Sequence, residues 1–145
     1  MTSRQYATFE VDEQLFGVEV TAVQEVLSFH EYTSVPLAPE AVGGLFNLRG
    51  QVIAAVDMRV QLGLSRQALD GPVMNLILRT DDGPVSLLVD RIGGVFDLDE
   101  ADFEPTPDNL IGPARRLVAG TFKLDNRLML ALDVDRALDT TASQN

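Results

Sequence analysis

An internal repeat constrains the fold of this chain more than any other feature of the sequence. Residues 42–50 and 118–126 align without a gap, sharing their Val, Gly, Phe and Leu positions, and the match continues to Asp57 and Asp133. Each copy is typical of a strand, a tight turn, a returning strand and an aspartate that caps a short helix. The sequence therefore predicts two similar β units.

The segments upstream of each copy extend the same pattern. Residues 6–20 and 73–89 are each typical of a strand, a polar turn and a second strand, and proline-bearing segments follow both. Short strands at regular spacing with Gly and Pro turns indicate small β-barrels. We expect a mainly β single domain of 1–145, with one barrel at about 6–64, a second at about 73–139, an apolar seam between them and short helices. Exchange of strands between the barrels is left open.

Composition excludes several functional classes. The net charge of −11 argues against a nucleic-acid partner, because a phosphate backbone is bound by clustered Lys and Arg. The absence of cysteine excludes disulfides and thiolate chemistry. The start of the chain has no apolar signal-peptide core, and uncharged runs such as residues 41–48 are far shorter than the roughly 18 residues that span a bilayer. We expect a soluble, cytoplasmic protein without direct membrane insertion.

The sequence also lacks the usual catalytic patterns. His30 is the only histidine, and no phosphate-binding loop, dinucleotide-binding glycine motif or Gly-x-Ser-x-Gly elbow is present. We therefore predict no catalytic residues, no metal site and no cofactor. The alternative is a small carboxylate- or metal-dependent hydrolase that uses Asp81, Asp82 or acidic residues of the segment 97–104. These carboxylates are better explained by a hairpin turn and a solvated acidic loop.

Two arginines lie around the first copy of the repeat. Arg49 is at the tip of the hairpin beside Gly50, and Arg59 is placed two residues after Asp57, within the helical turn that Asp57 is predicted to cap. One interpretation is an internal Arg–Asp pair that closes the hairpin onto the helix. The other is that Arg49 is presented to a partner protein, because arginine binds through its planar head while its stem packs.

Apolar residues near Arg49 could form the rest of a docking groove. Val23, Val26 and Leu27 have helical spacing after Thr21, which predicts a short helical turn, and they are candidates either for the groove or for the core. Residues 52–56 form a continuous apolar run, which is typical of a strand buried on both faces.

Comparison of the two copies separates structural residues from functional candidates. Asp57 and Asp133 occur in both copies and are predicted to be helix caps that the fold requires. The second copy has Asp125 at the position equivalent to Arg49 and Asp135 at that of Arg59. Arg49 is therefore the better functional candidate, whereas Arg59 is assigned a structural role.

The sequence resembles the CheW family of chemotaxis coupling proteins. The resemblance covers nearly the whole chain, and its most specific part is the Asn-Leu-Arg-Gly motif followed by Asp-x-Arg, with Val-Gln-Glu upstream. The matching segments are residues 23–26, 35–36, 38–39, 44–50, 57–59, 88–90 and 130–133.

This resemblance implies a fold and a function. The fold is two SH3-like, five-stranded β-barrels, and the function is a non-enzymatic scaffold in cytoplasmic arrays at membrane-bound chemoreceptors. The scaffold would link the helical-hairpin tips of chemoreceptors to the regulatory domain of the histidine kinase CheA. A coupling protein of an accessory chemosensory system, controlling pili or development, is the alternative within the same class. Family position implies these receptor-binding residues, with no kinase contacts assigned: Val23, Glu25, Gly44, Asn47 and Arg49, opposed by Leu88 and Val89.

Overall fold

Ten β-strands make up most of the structure, a computed structural model that describes residues 3–28, 33, 38–64 and 73–140. His30, Pro36 and the predicted boundary at residues 65–72 lie outside this part of the chain. In the described part no helix is long and apolar enough to cross a membrane. The strands are β1 Ser3–Val11, β2 Gln14–Glu19, β3 Val23–Leu27, β4 Val42–Leu48, β5 Gln51–Asp57, β6 Met74–Thr80, β7 Gly83–Val89, β8 Arg91–Asp99, β9 Val118–Lys123 and β10 Leu128–Leu132. The α-helices are α1 Met58–Gln61, α2 Pro113–Leu117 and α3 Val134–Ala137, and 3₁₀ turns occur at Val20–Ala22 and Glu100–Asp102.

The strands form two five-stranded sheets with equivalent topologies. One sheet has the order β3-β6-β7-β5-β4, and we call it the inserted barrel because its strands are consecutive in the chain. The other has the order β8-β1-β2-β10-β9, and we call it the split barrel because its strands come from both ends. The predicted pair of small five-stranded β units is confirmed.

Two isolated bridges join the ends of these sheets and close them. In the inserted barrel, Thr33 exchanges two backbone hydrogen bonds with Leu45 of β4, with N···O distances of 2.8 and 2.9 Å. In the split barrel, Glu104 exchanges two with Thr121 of β9, at 2.9 and 2.8 Å. Closure in this way leaves fewer unpaired strand edges.

The barrels do not divide the chain at the boundary between the repeats. The β1–β2 hairpin of the first repeat completes the barrel of β8, β9 and β10, and the β6–β7 hairpin of the second completes that of β3, β4 and β5. Each repeat thus donates its first hairpin to the other. The expected barrels at 6–64 and 73–139 correspond to the two sequence repeats. In the structure the inserted barrel lies within residues 23–89, and the split barrel is formed by the segments before and after it.

The exchanged hairpins supply the centre of a hydrophobic core shared by both barrels. Phe9 and Phe16 stack with ring centroids 5.6 Å apart, and both are fully buried. Leu76, Leu78 and neighbouring residues reach the same core from β6 and β7. Each barrel also has a smaller core of its own, around Phe46, Ile53 and Leu88 in one and around Leu15, Phe122 and Met129 in the other. Because β6 is buried on both faces, Ile77 faces the small core while Leu76 and Leu78 face the shared one.

The predicted helical turn after Thr21 differs from the observed structure. Val20–Ala22 forms a single 3₁₀ turn, and Val23–Leu27 is strand β3 rather than a helix. Over so few residues, the apolar spacing in this segment is compatible with both helical and strand periodicity. Because the segment pairs with β6, it forms a strand.

Candidate functional site

The turn between β4 and β5 holds Arg49 in a fixed position. Arg49 and Gly50 have φ angles of 51° and 85°, the positive values that a two-residue hairpin turn of type I′ requires. The Asn47 side chain accepts a hydrogen bond from the Gly50 backbone amide at 2.9 Å. The Asn-Leu-Arg-Gly motif is therefore a turn stabilised by its own asparagine, with the arginine at its tip.

Arg49 forms an ion pair with Glu25 across the seam of the inserted barrel. Its guanidinium contacts the Glu25 carboxylate on β3, whereas Arg49 itself follows β4, so the pair connects the two ends of the sheet. The Arg49 side chain is 65% exposed and that of Glu25 is 24% exposed. An exposed pair of this kind contributes about 0–1 kcal/mol to stability. The interpretation that pairs Arg49 internally with an aspartate is thus wrong about the partner.

Two valines on strands next to this ion pair are exposed. Val26 follows Glu25 on β3 and is 40% exposed, and Val52, near the start of β5, is 65% exposed. The apolar run of residues 52–56 is therefore not buried throughout, because its first residue lies beside the turn and outside the sheet interior. We call Glu25, Val26, Asn47, Arg49 and Val52 the seam surface.

Of the other predicted receptor residues, none presents an exposed side chain. Val23 is half-buried against the shared core, and Gly44 is buried in β4. Leu88 and Val89 are each 1% exposed; Leu88 belongs to the core of the inserted barrel and Val89 to the shared core. Their prediction as an opposite groove wall is corrected, because side chains enclosed in a core cannot contact a partner.

Arg59 forms an ion pair with Asp90 and not with the considered Asp57. Its Nε and Nη2 donate to the two carboxylate oxygens of Asp90 at 3.0 and 2.7 Å. The same carboxylate accepts from the Asp12 backbone amide at 2.8 Å, so this group ties the β1–β2 turn to α1 and β7. The hydrogen bond to Asp90 raises the pKa of Arg59. A base with a raised pKa stabilises the folded state at every pH below its ordinary value, and this contribution is lost only as the pH rises through the folded value.

Asp57 and Asp133 cap the two equivalent helices, as expected. Asp57 accepts from the Arg59 backbone amide at 2.9 Å and is fully buried, whereas Asp133 accepts from the Arg136 amide at 3.2 Å and is half-buried. The backbone amides of Asp57 and Asp133 themselves donate to the carbonyl oxygens of Ala41 and Leu117, respectively.

The difference in burial predicts unequal effects for the same substitution. Asp57→Ala should lower the free energy of unfolding by about 2 kcal/mol and Asp133→Ala by about 1 kcal/mol, because only the former leaves a part-buried amide, that of Arg59, without its acceptor. Urea unfolding followed by circular dichroism measures both. Equal losses would contradict a special role for the buried cap.

The acidic residues considered for a hydrolase do not converge. Asp81 and Asp82 are exposed in the β6–β7 turn, and Asp99 accepts from the Ala101 amide at 2.9 Å. Glu100 pairs with Arg4, and Glu104 pairs with Lys123 at 3.7 Å. Within the described residues there is no group of three or more His, Asp or Glu side chains that could hold a metal ion. His30 lies outside that part of the chain.

Comparison with known proteins gives a consistent set of relatives. A family model described as the CheW-like domain matches residues 5–142. The chain is 34% identical over 134 residues to the chemotaxis protein CheW of Thermotoga maritima and 31% identical over 134 residues to that of Rhizobium meliloti, in each case covering 91% of this chain and 85% of the relative.

A solved structure agrees with this result. The scaffolding protein TtCheW from Thermoanaerobacter tengcongensis superposes with a TM-score of 0.81 at 25% identity, over 91% of this chain and 90% of that one. The family model spans almost the full length and the exchanged two-barrel fold agrees with the solved structure, so the chain belongs to the CheW family of chemotaxis coupling proteins.

Proposed function

We propose that this chain is a coupling scaffold that joins the cytoplasmic tips of chemoreceptors to the histidine kinase CheA. It acts by binding both proteins and catalyses no reaction. Its place is on the cytoplasmic side of the membrane, in arrays with the receptors. The seam surface binds the receptor, and the regulatory domain of the kinase binds elsewhere on the barrels.

One observation carries this proposal: an exposed arginine stands on a rigid turn, and the strands β3 and β5 beside its ion pair each present an exposed valine. Apolar area with a fixed charged group is the composition that suits an amphipathic helix docking in a shallow groove. Because the turn is held by Asn47, little backbone conformational entropy is lost at the turn when Arg49 binds a partner.

The structure also supports a division of roles among the residues implied by the family. Glu25, Asn47 and Arg49 reach the surface and would contact the receptor directly. Val23 and Gly44 would act indirectly, by fixing the position of β3 and β4. The buried Leu88 and Val89 are left out of the proposed contact set.

The main test is the charge reversal Arg49→Asp. We expect binding of a receptor cytoplasmic hairpin fragment to weaken at least tenfold, because a cation is replaced by an anion beside Glu25 and the receptor loses its arginine contact. The melting temperature should change by less than about 2 °C, because an exposed ion pair contributes little to stability. Isothermal titration and differential scanning calorimetry measure the two quantities.

Two further variants separate an interface role from a structural one. Arg91→Asp makes the same charge change at an exposed arginine of β8 and should leave receptor binding unchanged. The exchange of Glu25→Arg with Arg49→Glu restores an internal ion pair of opposite polarity. If that exchange restores receptor binding, or if Arg49→Asp melts far below wild type, Arg49 is structural and the proposed receptor surface is wrong.

The coupling function requires that both partners bind at once. Size-exclusion chromatography of the chain with a receptor fragment and the CheA regulatory domain should give a ternary complex. Competition between the two partners would contradict a scaffold with separate surfaces.

A further inference from the structure

The repeat allows the two barrels to be compared at one position, the seam that Arg49 and Glu25 span. Glu25 lies at a bulge of β3 opposite Ile77 of β6. In the split barrel, β8 has a bulge at the same place, between Ile92 and Val95, where the Thr8 hydroxyl of β1 donates to the Gly94 carbonyl at 2.7 Å. Ile77 and Thr8 occupy equivalent positions in the two exchanged hairpins, so Gly94 is the counterpart of Glu25.

The other side of the seam also differs between the barrels. The turn residues equivalent to Arg49 and Gly50 are Asp125 and Asn126, which follow β9. The inserted barrel therefore has a glutamate and an arginine facing each other at its seam. The split barrel has a glycine and an aspartate, which cannot bridge it.

An open pocket of about 320 Å³ occupies this position in the split barrel. Its lining includes the apolar side chains of Leu15, Phe96 and Leu124, together with Thr8 and the two glycines of the bulge. A Cβ at Gly93 would lie 2.5 Å from the Thr8 hydroxyl oxygen, so a side chain there would require Thr8 to move.

The charge at the rim of this pocket is negative. Asp125 is exposed and makes no hydrogen bond or ion pair with the described residues. Arg127 also lines the pocket, but its guanidinium donates to the Glu13 carbonyl at 2.9 Å and pairs with Glu10 at 3.4 Å. An incoming cation would therefore find an unpaired carboxylate in a pocket that is also lined by apolar side chains.

We propose that this pocket is a second docking site, which takes an arginine side chain from an exposed turn of the kinase regulatory domain. The arginine stem packs on Phe96 and Leu124, and its guanidinium binds Asp125. In the inserted barrel the same seam is bridged internally by the Arg49–Glu25 ion pair. The net charge of −11 favours a partner surface that is basic at this point. The identity of the partner rests on the proposed function, whereas the chemistry of the pocket does not.

The first experiment titrates the full chain with the CheA regulatory domain and, separately, with a receptor fragment. Asp125→Asn should weaken kinase binding about tenfold, because the arginine loses its charged acceptor, and should leave receptor binding unchanged. A second variant, Gly94→Glu with Asp125→Arg, builds the ion pair of the inserted barrel into the split one. A Cβ at position 94 would lie 3.9 Å from Phe96 as its nearest neighbour, so this variant should fold and close the pocket to the kinase.

The second experiment tests the pocket without any partner protein. The capped tripeptide N-acetyl-Leu-Arg-Gly-amide should cause saturable shifts of the Gly94, Phe96 and Asp125 amides in nuclear magnetic resonance spectra. The same peptide with citrulline in place of arginine keeps the shape without the charge and should cause none. Equal shifts with both peptides, or none at these residues, would overturn the pocket assignment.

The outcomes separate failure of the pocket from failure of the coupling function. Kinase binding that both variants leave at the wild-type level would overturn the docking site. Peptide binding at the pocket by a chain that binds no kinase would refute the proposed partner and retain the pocket. Self-association that Asp125→Asn abolishes, measured by sedimentation, would overturn the kinase as occupant in favour of a second copy of the chain.

Discussion

A fragment of residues 1–64 is expected to remain largely unfolded, although it contains a complete sequence repeat. The strands β3, β4 and β5 need β6 and β7, and β1 and β2 need β8 and β10. The fragment therefore retains only two separate hairpins, and an isolated hairpin is marginally stable at best in water. Circular dichroism and the dispersion of amide resonances measure the loss.

A second fragment of similar size provides the control. Residues 20–89 include all five strands of the inserted barrel, so this fragment should have more β structure than residues 1–64. Mixing fragments 1–64 and 73–145 should restore native-like structure, because together they contain every strand. A folded 1–64 fragment would show that the exchanged hairpins are not required for folding.

The substitution Phe16→Ala is expected to lower the free energy of unfolding by about 3–5 kcal/mol. Phe16 is fully buried, stacks on Phe9 and lies on β2, which is paired with both β1 and β10. Removing the ring opens a cavity in the core that both barrels share. The melting temperature should fall by roughly 10 °C or more, in a single transition.

Phe96→Ala is the matched control for this experiment. Phe96 lies on β8 and is 40% exposed, so its truncation should cost less than about 1 kcal/mol. Two separate transitions in Phe16→Ala, each assigned to one barrel, would contradict the interpretation that the shared core makes the molecule a single cooperative unit.

Much of the architecture could be predicted from the sequence because the repeat is direct and its turns have distinct chemistry. The Arg49–Gly50 turn, the capping aspartates and the hairpin around Asp81 follow from local preferences that do not depend on distant residues. The same comparison of copies indicated Arg49 as a residue that the fold itself does not require.

The partner of each hairpin could not be predicted in the same way. Residues 6–20 and 73–89 have the same pattern, so either hairpin could satisfy the backbone of either barrel. The arrangement in which each hairpin pairs with the other repeat is selected only when the whole chain packs, with both hairpins at the shared core. The Arg49–Glu25 pair was missed for a related reason, because the two residues meet only once the barrel closes.

Side-chain burial was the other point at which local patterns were insufficient. Val52 belongs to an apolar run, but its place beside the turn leaves it exposed. Leu88 and Val89 lie on the central strand β7, whose two faces are covered by different cores. Their side chains therefore enter these cores rather than a groove. The alternation of polar and apolar residues along a strand indicates which side chains share a face, but it does not show what covers each face.

The exchange of hairpins also sets an order of events during synthesis. All strands of the inserted barrel have been made once the chain reaches Val89, whereas β2 pairs with β10, which ends at Leu132. At ordinary translation rates the β1–β2 hairpin therefore waits on the order of ten seconds for its partner strands. During that interval Phe9 and Phe16 have no complete core to enter. The N-terminal hairpin is thus the segment of the nascent chain most exposed to aggregation and to chaperone binding.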